Sequence, residues 1–453
     1  MSKLSTLFVA AALLAPSAYA AAPALADQID AALAPMFKPG WPGATVIVTK
    51  DGKTVFRKAY GLSNIAEQAA MQPDSLLRVG SVTKQFTAVA ILQLAEQGKL
   101  SVKDDITRFL PDYPTRGKRI TIEHLLHHTS GIPNYTALKA FRDVDDATLD
   151  VPKVIGLFKD EPLDFEPGER FSYSNSGYFL LGAIIEKVSG MRYQDYIATH
   201  LFEPLGMKDT AHEGFERSAK RRVNGYRLRG GTEIVAVGDI NLLAAYAAGA
   251  VVSTSDDMAR WETAISSGKL LKPATWKQAF TSCKVPKNLP CNYGYGWNIG
   301  TLAGHKLFAH GGSIPGFTAQ SLRLPDDKVY VAVLTNGNGG AVNTPVIAYK
   351  TAAIAIGKPF PDYKPIALAP DALDAFVGEY RSDEQVVRTV KREGDKLVLV
   401  RAGRDPVTLQ AHAANAFFMD GSLTSIEFQR SADGKVDTML LRQPLNDEKA
   451  VRQ

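Results

Sequence analysis

Strand-like segments lie on both sides of a long helical middle, and this order constrains the fold of the chain strongly. Before the middle, Ala44–Val48 and Thr54–Tyr60 are rich in β-forming residues and flank Lys50-Asp51-Gly52, which is typical of a hairpin turn. After it, strand patterns return at Lys306–His310, Thr318–Leu324 and Val329–Thr335. Helical spacing marks the segments between them, at Ser81–Gln97, Thr121–His127, Val151–Phe158, Ser176–Val188 and Tyr193–His200. The order predicts an α/β (α+β) fold in which both ends of this region form one sheet beside a helical lobe.

The amino-acid composition changes after Tyr363, where Pro365, Pro370 and several alanines indicate a linker. Short strand patterns punctuated by glycines follow, at Val377–Arg381, Gln385–Lys391, Lys396–Val400, Pro406–Gln410, Ala416–Met419, Leu423–Phe428 and Val436–Leu441. Strands this short and this regularly spaced are typical of a small antiparallel barrel. We therefore predict a main domain at residues 21–362, a linker at 363–371 and a lipocalin-like β-barrel at 372–453.

The first 20 residues have the pattern of a secretory signal peptide. Lys3 supplies the positive end, Leu7–Leu14 is apolar, and Ala18-Tyr19-Ala20 fits cleavage before Ala21. A retained anchor is the alternative, but the apolar run is too short to span a bilayer. The sequence thus predicts an exported, periplasmic or secreted protein without stable membrane insertion. A net charge of +5 on 453 residues, without a Lys/Arg cluster interleaved with aromatic residues, argues against nucleic acid as a partner.

The cysteine content limits the possible chemistry, because Cys283 and Cys291 are the only two cysteines. In an exported protein such a pair favours a loop-closing disulfide, which contributes roughly 2–3 kcal/mol on the chain-entropy model. Two free thiols are the alternative. The chain also lacks H-E-x-x-H, a Walker loop and G-x-S-x-G. His127 and His128 diverge by about 100° on a helix, so we predict a structural role for them. Neither a metal nor an organic cofactor is expected.

Ser81 and Lys84 form an S-x-x-K pair at the start of a strongly apolar helix. On a helix the two side chains share a face, so a lysine whose pKa is lowered by burial could take the proton of the serine. The alternative is a helix cap beside a surface lysine. That alternative has weight, because the spacing recurs at Ser266-Ser267-Gly268-Lys269, before a probable helix end.

Two further segments bear on this choice. Tyr173-Ser174-Asn175 precedes a helix, where a phenol could relay protons and an amide could hold a substrate carbonyl. His310-Gly311-Gly312-Ser313 follows a strand, and the glycines would let a substrate backbone approach closely. Ordinary turn chemistry and a strand ending in a bulge are the respective alternatives.

In this order, the three motifs resemble those of the serine β-lactamase and penicillin-binding-protein superfamily, in its class C β-lactamase-related branch. The resemblance covers roughly residues 26–360 and includes the flanking phrases Leu125-Leu126-His127-His128-Thr129-Ser130-Gly131-Ile132-Pro133 and Gly249-Ala250-Val251-Val252-Ser253-Thr254-Ser255-Asp256-Asp257. It implies the β-lactamase/transpeptidase-like fold, with an antiparallel sheet and a helical lobe.

The resemblance also implies roles for individual residues. Ser81 would attack a carbonyl and form an acyl-enzyme, with Lys84 and Tyr173 jointly handling the proton. The backbone N–H groups of Ser81 and Ser313 would form the oxyanion hole. The substrate would be bound by Asn175 and by His310, Gly311 and Gly312.

His310 stands where many β-lactamases and D-Ala-D-Ala carboxypeptidases carry a lysine. A histidine is largely neutral at pH 7, which weakens the case for anionic, penicillin-like substrates and resembles the D-aminopeptidase and esterase members. We therefore predict a serine hydrolase that cleaves an ester or amide of a small molecule or peptide, with a D-amino-acid peptide as the favoured substrate. A true β-lactamase or D,D-carboxypeptidase, and a slowly acylated receptor or non-catalytic relative, are the alternatives. The sequence does not indicate the oligomeric state.

Overall fold

The helices of the protein are concentrated in the middle of the chain. A computed structural model describes residues 23–143, 149–212, 223–238, 241–285, 291–382 and 386–453, so the predicted signal peptide lies outside the described residues. The helices are α1 (Leu25–Leu33), α2 (Thr83–Glu96), α3 (Ile122–Leu126), α4 (Lys139–Asp143), α5 (Val151–Gly156), α6 (Asn175–Ser189), α7 (Tyr193–Ile197), α8 (Tyr246–Gly249), α9 (Ser255–Ser266), α10 (Pro273–Ala279), α11 (Thr344–Ala355) and α12 (Pro370–Asp374). No helix in these ranges combines the length and the apolar character needed to cross a bilayer.

The strands fall into a sheet region and a barrel region. Those of the sheet region are β1 (Ala44–Lys50), β2 (Lys53–Tyr60), β3 (Leu62–Asn64), β4 (Ala69–Ala70), β5 (Leu77–Arg78), β6 (Ala211–His212), β7 (Tyr226–Arg229), β8 (Glu233–Ala236), β9 (Val251–Ser253), β10 (Asn298–Leu302), β11 (His305–Ile314), β12 (Phe317–Leu324), β13 (Val329–Thr335) and β14 (Gly337–Asn338). Those of the barrel are β15 (Gly378–Ser382), β16 (Val387–Glu393), β17 (Lys396–Arg401), β18 (Val407–Ala413), β19 (Ala416–Phe418), β20 (Ser425–Arg430), β21 (Val436–Arg442) and β22 (Glu448–Arg452).

One antiparallel sheet joins the two ends of the first region, as the sequence predicts. Its strand order is β10-β11-β12-β13-β1-β2, so β1 pairs with β13, almost 300 residues later, and β2 extends the sheet beside β1. Strands β1 and β13 are neighbouring interior strands with Val46 opposite Val333, and both strands are buried on both faces. This burial explains why their sequences are nearly continuous apolar runs rather than alternating ones.

Two apolar cores sandwich this sheet. Helices α1 and α11 cover one face and pack on Val46, Val331 and Leu322. The helical lobe and α9 cover the other face, with α2 at its centre and all but three of the 14 α2 residues buried. The helix is therefore apolar on all sides because it has no solvent-facing stripe.

The C-terminal strands close into an antiparallel barrel of eight strands, and the predicted barrel is confirmed. The sequence analysis missed the last strand, Glu448–Arg452, because Glu-Lys-Ala-Val-Arg places a single fully buried residue, Ala450, between exposed or half-buried ones. Phe417, Phe428 and Met439 fill the interior. In the loop between β21 and β22, the carbonyl of Leu445 accepts a hydrogen bond of 2.8 Å from the Thr301 amide on β10. The barrel thus covers the edge of the large sheet, which protects unpaired strand groups.

Candidate active site

Ser81 lies in a single 3₁₀ turn, Gly80–Val82, that leads directly into the buried helix α2. Gly80 has φ of +52°, and a Cβ atom there would lie 2.9 Å from the Ser313 backbone nitrogen. Glycine is needed at this position because it tolerates a left-handed backbone and leaves room for strand β11. The first N–H groups of a helix have no partner within the helix and point outward from its positive end.

Lys84 is completely buried, and its amine makes contacts with three oxygen atoms. The Nζ atom is 3.1 Å from Ser81 Oγ, 2.8 Å from Asn175 Oδ1 and 2.8 Å from the main-chain oxygen of Ala248. An amide or carbonyl oxygen can only accept, so Asn175 and Ala248 each require an N–H of the lysine. A neutral amine has two N–H groups and one lone pair. In the neutral form, the lone pair is therefore left for the proton of the Ser81 hydroxyl, whereas a protonated amine would donate to all three oxygens.

Burial favours this neutral form of the amine. The pKa of Lys84 lies well below the ordinary value of lysine because the side chain is removed from water and its charged form loses hydration. No carboxylate is among its three hydrogen-bond partners in the described structure. The arrangement can therefore supply a base at neutral pH.

Tyr173 is half-buried beside the same pair. Its hydroxyl hydrogen-bonds the Ser81 side chain, and Lys84 Nζ is 4.9 Å from the centre of its ring. Burial raises the pKa of the Tyr173 phenol, and the bond to Ser81 only partly opposes this rise. The phenol is thus protonated at neutral pH and can relay a proton.

Asn175 is the first residue of α6, and its amide side chain is oriented by its neighbours. Its backbone N–H donates to Asn134 Oδ1 at 3.1 Å, which satisfies one of the free groups at the start of the helix. Since its Oδ1 accepts from Lys84, its Nδ2 is the group left to donate to a substrate carbonyl. Nδ2 is 3.4 Å from Thr136 Oγ1, a weak contact that a substrate oxygen could replace.

Strand β11 passes directly against the Ser81 turn. A Cβ atom on Gly312 would lie 1.9 Å from the Val79 carbonyl oxygen and 3.0 Å from the Ser81 nitrogen. Only glycine permits this approach, which brings the backbone of Ser313 beside that of Ser81. The predicted oxyanion pair is therefore adjacent in space.

His310 lies behind this site, and its placement differs from the expected contact with substrate. The side chain is 3% exposed, and it is not among the residues that line the cavity in front of Ser81. Its Nε2 accepts from the Tyr293 hydroxyl at 2.8 Å, and its Nδ1 donates to the Gly311 carbonyl at 2.6 Å. Burial lowers its pKa to about 3, so the ring is neutral. Because both nitrogens are engaged, His310 supports the site from beneath.

The two glycines after His310 have separate surroundings. Gly312 faces the nucleophile, whereas a Cβ atom on Gly311 would meet the end of the Gln320 side chain at 2.9 Å. Neither residue lines the cavity among the described residues. Their close packing on protein atoms, rather than on a substrate, accounts for the glycine requirement that the sequence indicates.

A cavity of about 510 Å³ opens in front of Ser81. Its polar end contains Ser81, Asn175 and Ser313, and its other walls are mostly apolar or aromatic: Tyr135, Phe141, Leu242, Ala244, Ala245, Ala248, Ile314 and Pro315. A larger cavity of about 750 Å³ lies between α11 and the barrel, and its described lining contains none of the predicted catalytic residues. The smaller cavity is the candidate substrate site because the reactive groups converge there.

Several supporting groups were missed by the sequence analysis. The Ala248 carbonyl orients Lys84, Asn134 positions Asn175, and Tyr293 binds His310. A main-chain carbonyl has no signature in a sequence, and Asn134 and Tyr293 come from distant segments. The phrase containing Gly249 was recognised, but its contact with the lysine required the tertiary structure.

Cys283 and Cys291 form a disulfide with their Cα atoms 5.6 Å apart. Together with His127 they bring metal-ligand atoms within 4.8 Å of one another. The sulfurs are bonded to each other, and a metal binds the thiolate form instead. His127 Nδ1 contacts the Tyr293 carbonyl at 3.0 Å, so this cluster supports the segment that carries Tyr293.

Comparisons with known proteins agree with this geometry. A family model described as beta-lactamase matches residues 25–356. Penicillin-binding protein 4* of Bacillus subtilis is 28% identical over 429 residues, covering 90% of this chain and 94% of that protein.

Two solved structures resemble the protein. The octameric penicillin-binding protein homologue from Pyrococcus abyssi has a TM-score of 0.67 and 28% identity, over 94% of this chain and 99% of that chain. A D-stereospecific amidohydrolase from Streptomyces has a TM-score of 0.61 and 27% identity, over 69% of this chain and 95% of that chain. The chain therefore belongs to the beta-lactamase family, whose members are serine hydrolases, and the family resemblance predicted from its sequence is confirmed.

Proposed function

We propose that this protein is an exported serine hydrolase that cleaves an amide or ester through an acyl-Ser81 intermediate. The observation that carries the proposal is the buried Lys84 amine, whose two N–H groups are used by Asn175 and Ala248. The Nζ atom is 3.1 Å from Ser81 Oγ, so the lone pair of the neutral amine is left to accept the hydroxyl proton. Such a base converts serine from a weak nucleophile into an effective one.

The side chains around Ser81 can accept and return every proton that the proposed reaction moves. Ser81 Oγ attacks the carbonyl carbon while its proton passes to Lys84, with Tyr173 as the relay toward the leaving group. The carbonyl oxygen becomes an oxyanion held by the N–H groups of Ser81 and Ser313, and each such donor contributes about 3 kcal/mol. The protonated leaving group departs, and water then attacks the acyl-serine with Lys84 taking its proton. Collapse of the second tetrahedral intermediate releases the acid and restores the Ser81 hydroxyl.

We favour amides and short peptides of D-amino acids as substrates. Asn175 Nδ2 is available to an amide carbonyl, and the mainly apolar cavity suits a hydrophobic side chain. The neutral, buried His310 offers no positive charge to a substrate carboxylate. The likeness to a D-stereospecific amidohydrolase supports the same class.

A D,D-carboxypeptidase or β-lactamase is the second candidate. Arg142 is the one cationic side chain among the described residues that line the cavity, and it could bind a substrate carboxylate instead of His310. The match with penicillin-binding protein 4* also supports this candidate. A slowly acylated receptor would use the same residues but release its product slowly.

Labelling with a fluorophosphonate tests the chemistry without knowledge of the substrate. The wild-type protein should be labelled at Ser81, and Ser81→Ala should not be. Labelling of Ser81→Ala at the wild-type rate would disprove the assignment.

A substrate panel then separates the candidates. Nitrocefin, p-nitrophenyl esters and D- and L-aminoacyl anilides should be compared, with Ser81→Ala as the control. Preferential turnover of D-aminoacyl anilides supports the favoured class, whereas turnover of nitrocefin alone supports a β-lactamase. A burst of product followed by very slow turnover supports the receptor.

Export is part of the proposal and has its own test. It depends on Lys3, the apolar Leu7–Leu14 and the cleavage pattern at Ala18-Tyr19-Ala20. The mature protein should begin at Ala21 when recovered from the periplasm or medium of an expressing bacterium. An intact N-terminus in the cytoplasmic fraction alone would contradict it.

A further inference from the structure

His128 lies beneath the turn that carries Tyr173, and the proposed reaction assigns it no role. Its side chain is 1% exposed, and its ring centre is 4.2 Å from that of Tyr173. It is absent from the described cavity lining and has no described hydrogen bond to Ser81. Any effect on the reaction must therefore act through neighbouring residues.

His128 accepts two hydrogen bonds, one from each of the residues on either side of Tyr173. The Ser172 amide donates to the His128 carbonyl oxygen at 2.9 Å. The Ser174 amide donates to the His128 ring nitrogen Nδ1 at 3.1 Å. One residue thus fixes the backbone before and after the tyrosine and supports its ring from below.

This arrangement is maintained at a cost in stability. His128 has φ of +58°, in the left-handed region that only a few per cent of non-glycine residues adopt, although histidine is enriched among them. Because Nδ1 accepts a hydrogen bond, the neutral ring carries its proton on Nε2, and that atom is buried without a hydrogen-bond partner in the described part of the chain. Two unfavourable features in one residue beside an active site point to a functional reason for keeping it.

The left-handed backbone explains how one residue makes both contacts. It allows the carbonyl oxygen and the ring of His128 to face the same segment, residues 172–174. Ser174 also precedes Asn175, whose Oδ1 orients Lys84. The position of the Ser174 backbone therefore affects Tyr173 and Asn175, two of the three side chains around Ser81, and Lys84 is the third.

We propose that His128 is a positioning residue that holds the Tyr173 hydroxyl on Ser81 and the Asn175 side chain on Lys84 by accepting the Ser174 N–H. The inference rests on the proposed function. His127, its neighbour, has a different role, because its Nδ1 contacts the Tyr293 carbonyl instead.

Substitutions that separate the acceptor from the ring test the proposal in the full chain. Asparagine tolerates positive φ and places Oδ1 at the position of Nδ1, so His128→Asn keeps the acceptor but loses the ring. His128→Phe keeps a ring but loses the acceptor. The measurements are the rate of fluorophosphonate labelling of Ser81, and kcat and KM on the best ester or amide of the substrate panel.

We expect His128→Phe to lower the labelling rate and kcat by about 10²-fold, as for a catalytic group displaced by about 1 Å, with KM changed less than about threefold. His128→Asn should remain within about tenfold of wild type, because the Ser174 N–H keeps its acceptor. A purely structural role would not produce this rescue by asparagine or this split between kcat and KM.

Controls distinguish positioning from loss of fold. Circular dichroism and thermal unfolding should show that each variant is folded at the assay temperature. Ile184→Ala, in the buried core of α6, should lose stability without loss of labelling. If His128→Phe does not fold, His128→Gly keeps the left-handed backbone without Nδ1 and should show the same loss.

Two results would overturn the proposal. The first is labelling of Ser81 at the wild-type rate in His128→Phe or, where that variant does not fold, in His128→Gly. The second is an equal loss of labelling rate in His128→Asn and His128→Phe. In either case a labelled wild-type protein leaves the hydrolase assignment intact. An unlabelled wild-type protein without turnover would overturn both proposals.

Discussion

The environment of Ser81 and the interior of the C-terminal barrel are built in opposite ways. Around Ser81, the ionisable side chains Lys84, His128 and His310 are each at most 3% exposed. The barrel interior instead contains Phe417, Phe428 and Met439 among other apolar residues. The difference shows where the protein accepts unfavourable burial: desolvation adjusts proton affinities beside the nucleophile, whereas the barrel interior is built for packing.

The same contrast extends to ion pairs. The buried Arg388 guanidinium of the barrel lies against the Glu448 carboxylate with two hydrogen bonds, so its charge is compensated. Lys84 has three oxygen neighbours but no carboxylate among them. Burial without a carboxylate partner favours the neutral form of the Lys84 amine.

Removing the base near Ser81 should have the largest effect. Lys84→Met should lower the rate of Ser81 labelling by about 10²–10⁴-fold, which is the usual contribution of general acid–base catalysis. The matched control is Lys269→Met, because Lys269 belongs to the second S-x-x-K but is exposed after α9. Labelling of Lys84→Met at the wild-type rate, or an equal loss of labelling rate in both methionine variants, would contradict the assignment of the base.

The approach of β11 to the nucleophile can be tested by adding one methyl group. Gly312→Ala should lower labelling by about 10²-fold, because its Cβ would displace the Ser313 N–H from the Ser81 turn. Gly311→Ala is the control, since its Cβ meets only the flexible end of Gln320. Similar labelling rates for the two alanine variants would mean that the close contact does not position the oxyanion hole.

The dependence of labelling on pH reports the proton affinity of Lys84. The reactive form is the neutral amine, so the rate should rise with pH through the lowered pKa and then level off. The acid limb should lie well below pH 10.4, where an unperturbed lysine titrates. An acid limb near pH 10 in wild-type protein would exclude Lys84 as the base.

Acid should destabilise the catalytic region more than the barrel. The folded state lowers the pKa of His310 from the ordinary 6.5 to about 3, so the unfolded chain binds more protons between these values. The stability contributed by the neutral ring is present above pH 6.5 and is lost as the pH falls, by about 1.4 kcal/mol per pH unit. Denaturant unfolding of His310→Gln should show a shallower loss in acid than wild type.

A barrel histidine provides the comparison for this measurement. His412 is partly exposed and stacks on Tyr363, and burial lowers its pKa as well, so His412→Gln should make the loss in acid shallower but less so than His310→Gln. If His412→Gln and His310→Gln reduced the slope equally, acid sensitivity would not be a property of the catalytic region.

The contact between the two regions should have the smallest effect. Leu445→Ala should lower the free energy of unfolding by roughly 1–2 kcal/mol, because the half-buried side chain packs against the core between the large sheet and helices α1 and α11. Labelling should not change, since no barrel residue is among the described residues that line the cavity. Val451→Ala, which is 45% exposed, is the control and should match wild type in both measurements. A slower labelling rate in Leu445→Ala would show that the barrel affects the site.

The fold class and the serine hydrolase family could be predicted from the sequence because they depend on local patterns. A serine and a lysine three residues apart meet on a helix whatever surrounds them. Strands β1 and β13 were recognised because their burial on both faces leaves continuous apolar runs. Strand β22 was missed because its single fully buried residue leaves no such run.

What the sequence by itself determined was a set of candidate reacting groups: Ser81, Lys84, Tyr173 and Asn175 stand in recognisable motifs, and the structure brings these side chains together. The tertiary structure decided their proton affinities and their supports. The Ala248 carbonyl, the His128 ring and the burial of His310 come from segments far apart in the chain. A pKa depends on removal of water and on neighbouring dipoles, which exist only once those segments have packed together.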